Sequence, residues 1–132
     1  MSNGKLRVLV AEDDPIGARF AIAAVERLGH DAVRVETGRE ALARLKDEHF
    51  DVAMLDMGLP ELAGIDVARR LRTHERAAGL NAIVIVALTA ADLSEEECAS
   101  AGIDAVLEKP VVVSVLAEAL ARCMGPRGCS ST

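Results

Sequence analysis

The chain has 132 residues, 51% of them hydrophobic and 27% charged, which suits one globular domain with a single buried core. Its formal net charge of −6 argues against nucleic acid as the main partner, since phosphate backbones need a basic surface. No apolar stretch is long enough to cross a bilayer, so a membrane is not an expected partner either.

The opening MSNGKLRVLV leads directly into a strand-like run and lacks the apolar core and cleavage pattern of a signal peptide. Residues 6–11 (LRVLVA) form that first strand, and it stops at three consecutive acids, Glu12, Asp13 and Asp14. Asp14-Pro15 is a helix start, with Asp as N-cap and Pro at the first helical position. Ala18, Ala21, Ile22, Val25 and Leu28 then recur at helical spacing until Gly29. His30 falls in the following turn and reads as a bystander, as do His49 and His74.

Residues 32–35 (AVRV) give a short second strand, and Thr37-x-x-Glu40 is a capping box that opens a helix through about Glu48. Ala41, Leu42 and Leu45 mark its inward face, with Lys46 solvated. Next comes FDVAMLDMGLP, an apolar run that ends at Asp56. A run so short and so apolar reads as a strand buried on both faces of a parallel sheet. Its acid then stands at a strand's C-terminal edge, where open α/β sheets keep their ligands. By itself an acid there equally supports a turn or caps the next helix.

A third helix runs from Gly64 to about Arg76, with Ile65, Ala68 and Leu71 inward and Arg69, Arg70, Arg72 and Arg76 on a solvated face. Residues 82–88 (AIVIVAL) form the fourth and most apolar strand, ending at Thr89. Ser94-x-x-Glu97 is a second capping box, for a short helix closed by Gly102. Residues 104–107 (DAVL) make a fifth strand before Glu108-Lys109-Pro110, and a last helix spans about Val112 to Met124. The domain is expected over residues 1–125, with a disordered tail at 126–132. Three cysteines without metal-ligand spacing suggest reduced thiols and a cytoplasmic setting. Cys98 and Cys123 are read as small packing residues, whereas Cys129 is expected to be exposed and able to link two chains by oxidation.

Strands alternate with helices five times, the pattern of a doubly wound parallel sheet in an α/β fold. That alternation sets every strand's C-terminal end on one edge, where Glu12, Asp13, Asp56, Thr89 and Lys109 stand. Two carboxylates about 4 Å apart repel by roughly 4 kcal/mol at an effective dielectric near 20. A hard divalent cation removes that repulsion, and Mg²⁺ accepts a few carboxylates while leaving positions for water and phosphate oxygen. A lysine and a hydroxyl opposite would hold phosphoryl oxygens. The group is arranged for phosphoryl transfer to a carboxylate.

With those residues in place, the chain resembles the receiver domain of two-component response regulators from about Leu6 to Met124. The resemblance rests on the acid pair of VAEDDP, the acceptor in MLDMGLPELAG, the hydroxyl in IVALTA and the Lys-Pro of VLEKPV. The segments LGHDAVRVETGREAL and LTAADLSEEECASAGIDAVLEKP look most like receivers attached to hybrid histidine kinases. It implies a flavodoxin-like (βα)5 domain with five strands in the order 2-1-3-4-5. Asp56 would accept a phosphoryl group from the phosphohistidine of a histidine kinase or histidine phosphotransferase. Glu12, Asp13 and Asp56 would hold Mg²⁺ together with the Met57 backbone carbonyl, while Thr89 and Lys109 would contact the phosphoryl oxygens. Lys109-Pro110 would be cis.

Docking of the phosphohistidine partner is expected at Ile16, Phe20, Pro110 and Val111, and output to a downstream protein at the face of the fourth helix, fifth strand and last helix. There the chain departs from the family pattern. Val106 stands where many receivers carry a Tyr or Phe that swings inward with Thr89, and valine is too short and stiff for that motion. Glu12 replaces the commoner Asp, Ala63 replaces an acid before Gly64, and Gly58 and Ala91 flank the acceptor without polar side chains.

Other readings fit less well. A phosphatase that uses an aspartyl phosphate on outside substrates would want a second acid where Gly58 stands. A flavin binder needs a loop of backbone donors after its first strand, where EDDPIG supplies acids. A non-phosphorylated adaptor of the same fold would not need an intact acid, Thr and Lys set.

Overall fold

Five strands and five helices alternate along the chain: β1 (Arg7–Ala11), α1 (Pro15–Arg27), β2 (Asp31–Val35), α2 (Gly38–Asp47), β3 (Val52–Asp56), α3 (Gly64–Ala78), β4 (Val84–Thr89), α4 (Glu95–Ala101), β5 (Ala105–Glu108) and α5 (Val113–Ser130). The computed structural model describes residues 5–89 and 94–130, except the side chains of Glu95 and of residues 125–130. The sheet has the order β2-β1-β3-β4-β5, and all four neighbouring pairs are parallel. This is the doubly wound sheet expected from the alternation of elements, in the flavodoxin-like strand order that the resemblance implies.

The two-residue period of the strands divides the core into two layers. Along β3, Ala53 and Leu55 join Leu9, Ile85, Val67 and Leu71 beneath α2, α3 and α4. Val52 and Met54 point the other way and join Val8, Val10, Val86, Val25 and Leu116 beneath α1 and α5. β3 is buried along its whole length, as a central parallel strand covered by helices on both faces should be. Each of the buried Val, Leu, Ile and Met side chains contributes roughly 1.5–3 kcal/mol.

Local signals set most element ends. The Asp14 carboxylate accepts the Gly17 amide at 2.9 Å, with Pro15 opening α1. Thr37 and Ser94 accept the amides of Glu40 and Glu97 at 3.0 and 3.1 Å. At α2, Glu40 reaches back to the Glu36 amide rather than to that of Thr37. Gly79 and Gly102 end α3 and α4 in the left-handed region, which costs glycine no Cβ clash.

Some expectations are corrected. β4 begins at Val84, not Ala82, while Ile22 and Leu28 are only partly buried and the smaller Ala24 takes a core position. α5 runs from Val113 to Ser130. The Cys129 side chain and residues 131–132 lie outside what is described. Among the described residues, no helix is long and apolar enough to cross a membrane.

Candidate functional site

The parallel sheet gathers three loops at its C-terminal edge. β1 delivers Glu12 and Asp13 to the first loop, where the Glu12 amide donates to the Val35 carbonyl at 3.1 Å. The Glu12 side chain is completely buried, and its Oε2 accepts the Asp14 amide at 3.1 Å. Asp13 faces solvent. β3 delivers Asp56, which is 6% exposed and whose Oδ1 accepts the Gly58 amide at 3.1 Å. Lys109 follows β5, and its Nζ stands 3.2 Å from Glu12 Oε1 and 3.2 Å from Asp56 Oδ1. One ammonium thus bridges carboxylates that arrive from two different strands.

Carboxylate oxygens of Glu12, Asp13 and Asp56 lie within 4.8 Å of one another. Burial, reinforced by the neighbouring Asp56, raises the Glu12 pKa, against the opposing pull of the Asp14 amide and Lys109. Burial also works against the charge on Lys109, but hydrogen bonds and charge from Asp56 and then Glu12 outweigh it and raise its pKa. Three carboxylates against one ammonium leave the cluster short of positive charge. The donors are all oxygen, and one of the acids is open to solvent, which fits a hard cation that keeps part of its water shell.

Thr89 is the buried last residue of β4. Its carbonyl accepts the Lys109 amide at 3.0 Å, and it lies one residue beyond Leu88, the strand partner of Asp56. Met57 follows Asp56 directly and donates its amide to the Leu88 carbonyl at 3.0 Å. Val106 points outward from β5 and is 40% exposed. Ala91 lies outside the described residues.

Of the residues expected to meet a partner, Ile16 is 67% exposed, and Phe20 and Pro110 are exposed as well. Val111 is not available. It is 5% exposed and sits in the α1/α5 core layer with Leu107 and Leu116, because the chain entering α5 turns this side chain onto the sheet. Val112 and Val115 are the exposed apolar residues on that side. Arg72 also departs from expectation. Its side chain is 12% exposed and donates to the carbonyls of Gly102 and Ile83 and to Glu75 and Asp104, whereas Arg69, Arg70 and Arg76 face solvent as read. His30 has a structural hydrogen bond, its Nδ1 accepting the Leu6 amide at 3.0 Å.

Several residues around the site carried no sequence signal read as functional. Arg34, on β2, directs its guanidinium at the carbonyls of Glu12 and Asp13. Gly17 leaves room for the Glu12 side chain, whose Oε1 would stand 3.0 Å from a β-carbon at that position. Gly64 and Gly38 permit close backbone approaches on the acceptor side. Glycine at or near a helix start has no propensity advantage, which is the clue that was available.

Known proteins resemble this chain in sequence and in fold. The gliding motility regulatory protein of Myxococcus xanthus is 33% identical over 119 residues, covering 89% of this chain and 15% of that protein. The receiver domain of a Saccharomyces cerevisiae response regulator, co-crystallised with its histidine phosphotransfer signalling protein, superposes with a TM-score of 0.82 at 26% identity over 92% of this chain and 91% of that one. The receiver domain of a Pseudomonas aeruginosa sensor histidine kinase, with magnesium coordinated in its active site cleft, gives 0.80 at 29% identity over 92% and 99%. Among the large curated relatives, the chain spans only 12% to 16% of their length. Residues 8–121 match the response regulator receiver domain, and the chain belongs to that family of two-component signalling modules.

Proposed function

We propose that Asp56 accepts a phosphoryl group from the phosphohistidine of a histidine kinase or histidine phosphotransferase, in a Mg²⁺-dependent step. One observation carries this reading: Lys109 Nζ lies 3.2 Å from both Asp56 Oδ1 and Glu12 Oε1, with Asp13 completing the acid cluster. The magnesium and the phosphotransfer partner of the two structural relatives support the same assignment.

Glu12, Asp13, Asp56 and the Met57 carbonyl would hold Mg²⁺. With the ion held by these residues, charge on the incoming phosphoryl group would be neutralised. An Asp56 carboxylate oxygen forms the new O–P bond, while the histidine N–P bond breaks and its electron pair stays on the imidazole nitrogen. The Gly58 amide orients the carboxylate. Lys109 exchanges a carboxylate partner for a phosphoryl oxygen, and the Thr89 hydroxyl donates to another. Water later attacks the phosphorus, the Asp56 O–P bond breaks and inorganic phosphate leaves, which restores the carboxylate, so the chain acts on itself and not on an outside substrate.

Between those two events the position of Thr89 changes the surface presented by α4, β5 and α5 to a downstream protein. Val106 is too small for a ring swing, so Thr89 carries the switch without an aromatic relay. Ile16, Phe20 and Pro110 form the docking surface for the donor. We place the functional unit at residues 1–125 and its working compartment in the cytoplasm.

Incubation with acetyl phosphate and Mg²⁺ tests the reading by intact mass. The native chain should gain one phosphoryl group, and Asp56→Asn none. No gain by the native chain, or an equal gain by the variant, contradicts it.

A further inference from the structure

We infer that Arg34 is a positioning residue for the cation cradle. This rests on reading Glu12, Asp13 and Asp56 as the Mg²⁺ site. Arg34 lies on the edge strand β2, paired in register with Val10 of β1. Its side chain reaches past the end of β1. Nε and Nη2 donate to the Glu12 carbonyl at 3.2 and 3.0 Å, and Nη2 also donates to the Asp13 carbonyl at 3.3 Å. A looser contact, 3.7 Å from Nη1 to Glu36, steadies its solvent side.

Those bonds act on the two residues whose carboxylates must converge. The Glu12 amide is already tied to the Val35 carbonyl, so the guanidinium fixes the other end of the same residue. Asp13 has less support: it is exposed, and among the described residues no hydrogen bond to its carboxylate is found. Holding its carbonyl orients its peptide plane, and with it the direction in which the carboxylate leaves the chain. A planar fork can bond two successive carbonyls, which a lysine's single ammonium on a flexible stem does poorly. Outer partners that orient metal ligands commonly govern affinity by 10- to 100-fold.

The Arg34 charge has an opposite effect, since a cation near the cradle repels another. Two variants separate charge from alignment. Arg34→Met removes both, whereas Arg34→Lys keeps the charge and loses the fork.

Mg²⁺ alone is titrated calorimetrically into the native chain and each variant, with the metal-free melting midpoint recorded for each. Alignment predicts a Kd about tenfold weaker for the Met variant. It predicts a loss at least as large for the Lys variant, which keeps the repelling charge without the fork, at a melting midpoint close to native. Equal Kd in all three chains, tighter binding by the Met variant, or a lowered midpoint with unchanged Kd would each overturn the inference. Should the Met variant fail to fold, the Lys variant decides alone. Absence of Mg²⁺ binding by the native chain would overturn the cradle reading itself, a different result from a native site indifferent to residue 34.

Discussion

The main-chain carbonyl of Asp56 lies against Gly64 at the start of α3. A β-carbon on residue 64 would overlap that oxygen and come within 2.7 Å of the Met57 methyl carbon. The helix that follows the acceptor loop is thus seated directly on the acceptor's own backbone. Gly38, at the start of α2, abuts the loop between β3 and α3, where a β-carbon would overlap the Leu62 carbonyl.

Gly64→Ala should therefore force α3 and β3 apart. Backbone cannot yield as a flexible side chain can, and overpacking of this kind costs about 1–3 kcal/mol. Urea unfolding would measure the loss, and acetyl phosphate labelling of the folded variant should be slower because Asp56 has moved. Native stability and native labelling in Gly64→Ala would show that the loop absorbs the methyl group.

Arg72 ties α3 to the opposite edge of the sheet. It pairs with the buried Glu75 at 2.8 Å and with Asp104 at 3.0 Å, and it caps α4 through the Gly102 carbonyl. Arg72→Met would leave Glu75 buried without its cation, a change worth about 3–5 kcal/mol of destabilisation. Denaturant titration at neutral pH should find it. A loss under 1 kcal/mol would mean that the Ile83 amide, which also donates to Glu75, is partner enough.

Stability toward acid should depend on Glu48. Hydrogen bonds from Arg44 and Arg7 lower its pKa from 4.5 to about 2. A carboxylate depressed in the folded state binds fewer protons there than in the unfolded chain. Its contribution is present above about pH 4.5 and is lost as pH falls toward 2. Glu48→Gln should flatten that part of the stability profile, measured as melting midpoint against pH. The same slope in both chains would assign the acid sensitivity to other groups.

Much of this was legible in the sequence because the signals were local or periodic. Short apolar runs ended by acids set the strands, Asp14, Thr37 and Ser94 set helix starts, and the order of Asp56, Thr89 and Lys109 placed them on one edge. Direction was harder to read. Arg72 and Arg70 have the same charge on one helix, but only Ile83, Gly102 and Asp104, in the turns beside β4 and β5, decide which is drawn inward. Val111 and Val112 differ by one position at a turn, where no periodicity says which faces the core. Arg34 looked like one polar residue in an edge strand, since its carbonyl partners are distant in sequence.

The exposed pair on α1 yields a test of donor recognition. Ile16→Asp should slow transfer from a phosphorylated histidine phosphotransferase by about tenfold, the effect of losing roughly 1.4 kcal/mol at an interface contact. Labelling by acetyl phosphate should stay at the native rate, since that small donor needs no docking surface. Equal slowing with both donors would indicate a damaged site in place of a lost contact.

Most direct is the location of the phosphoryl group itself. An acyl phosphate is reduced by borohydride, which leaves homoserine in place of the modified aspartate, and peptide mass mapping then identifies the position. After transfer from a phosphohistidine donor with Mg²⁺, the account predicts conversion at Asp56 alone, abolished by chelating the metal. Conversion at Asp13 or elsewhere, or conversion at Asp56 that persists without divalent cation, would contradict it.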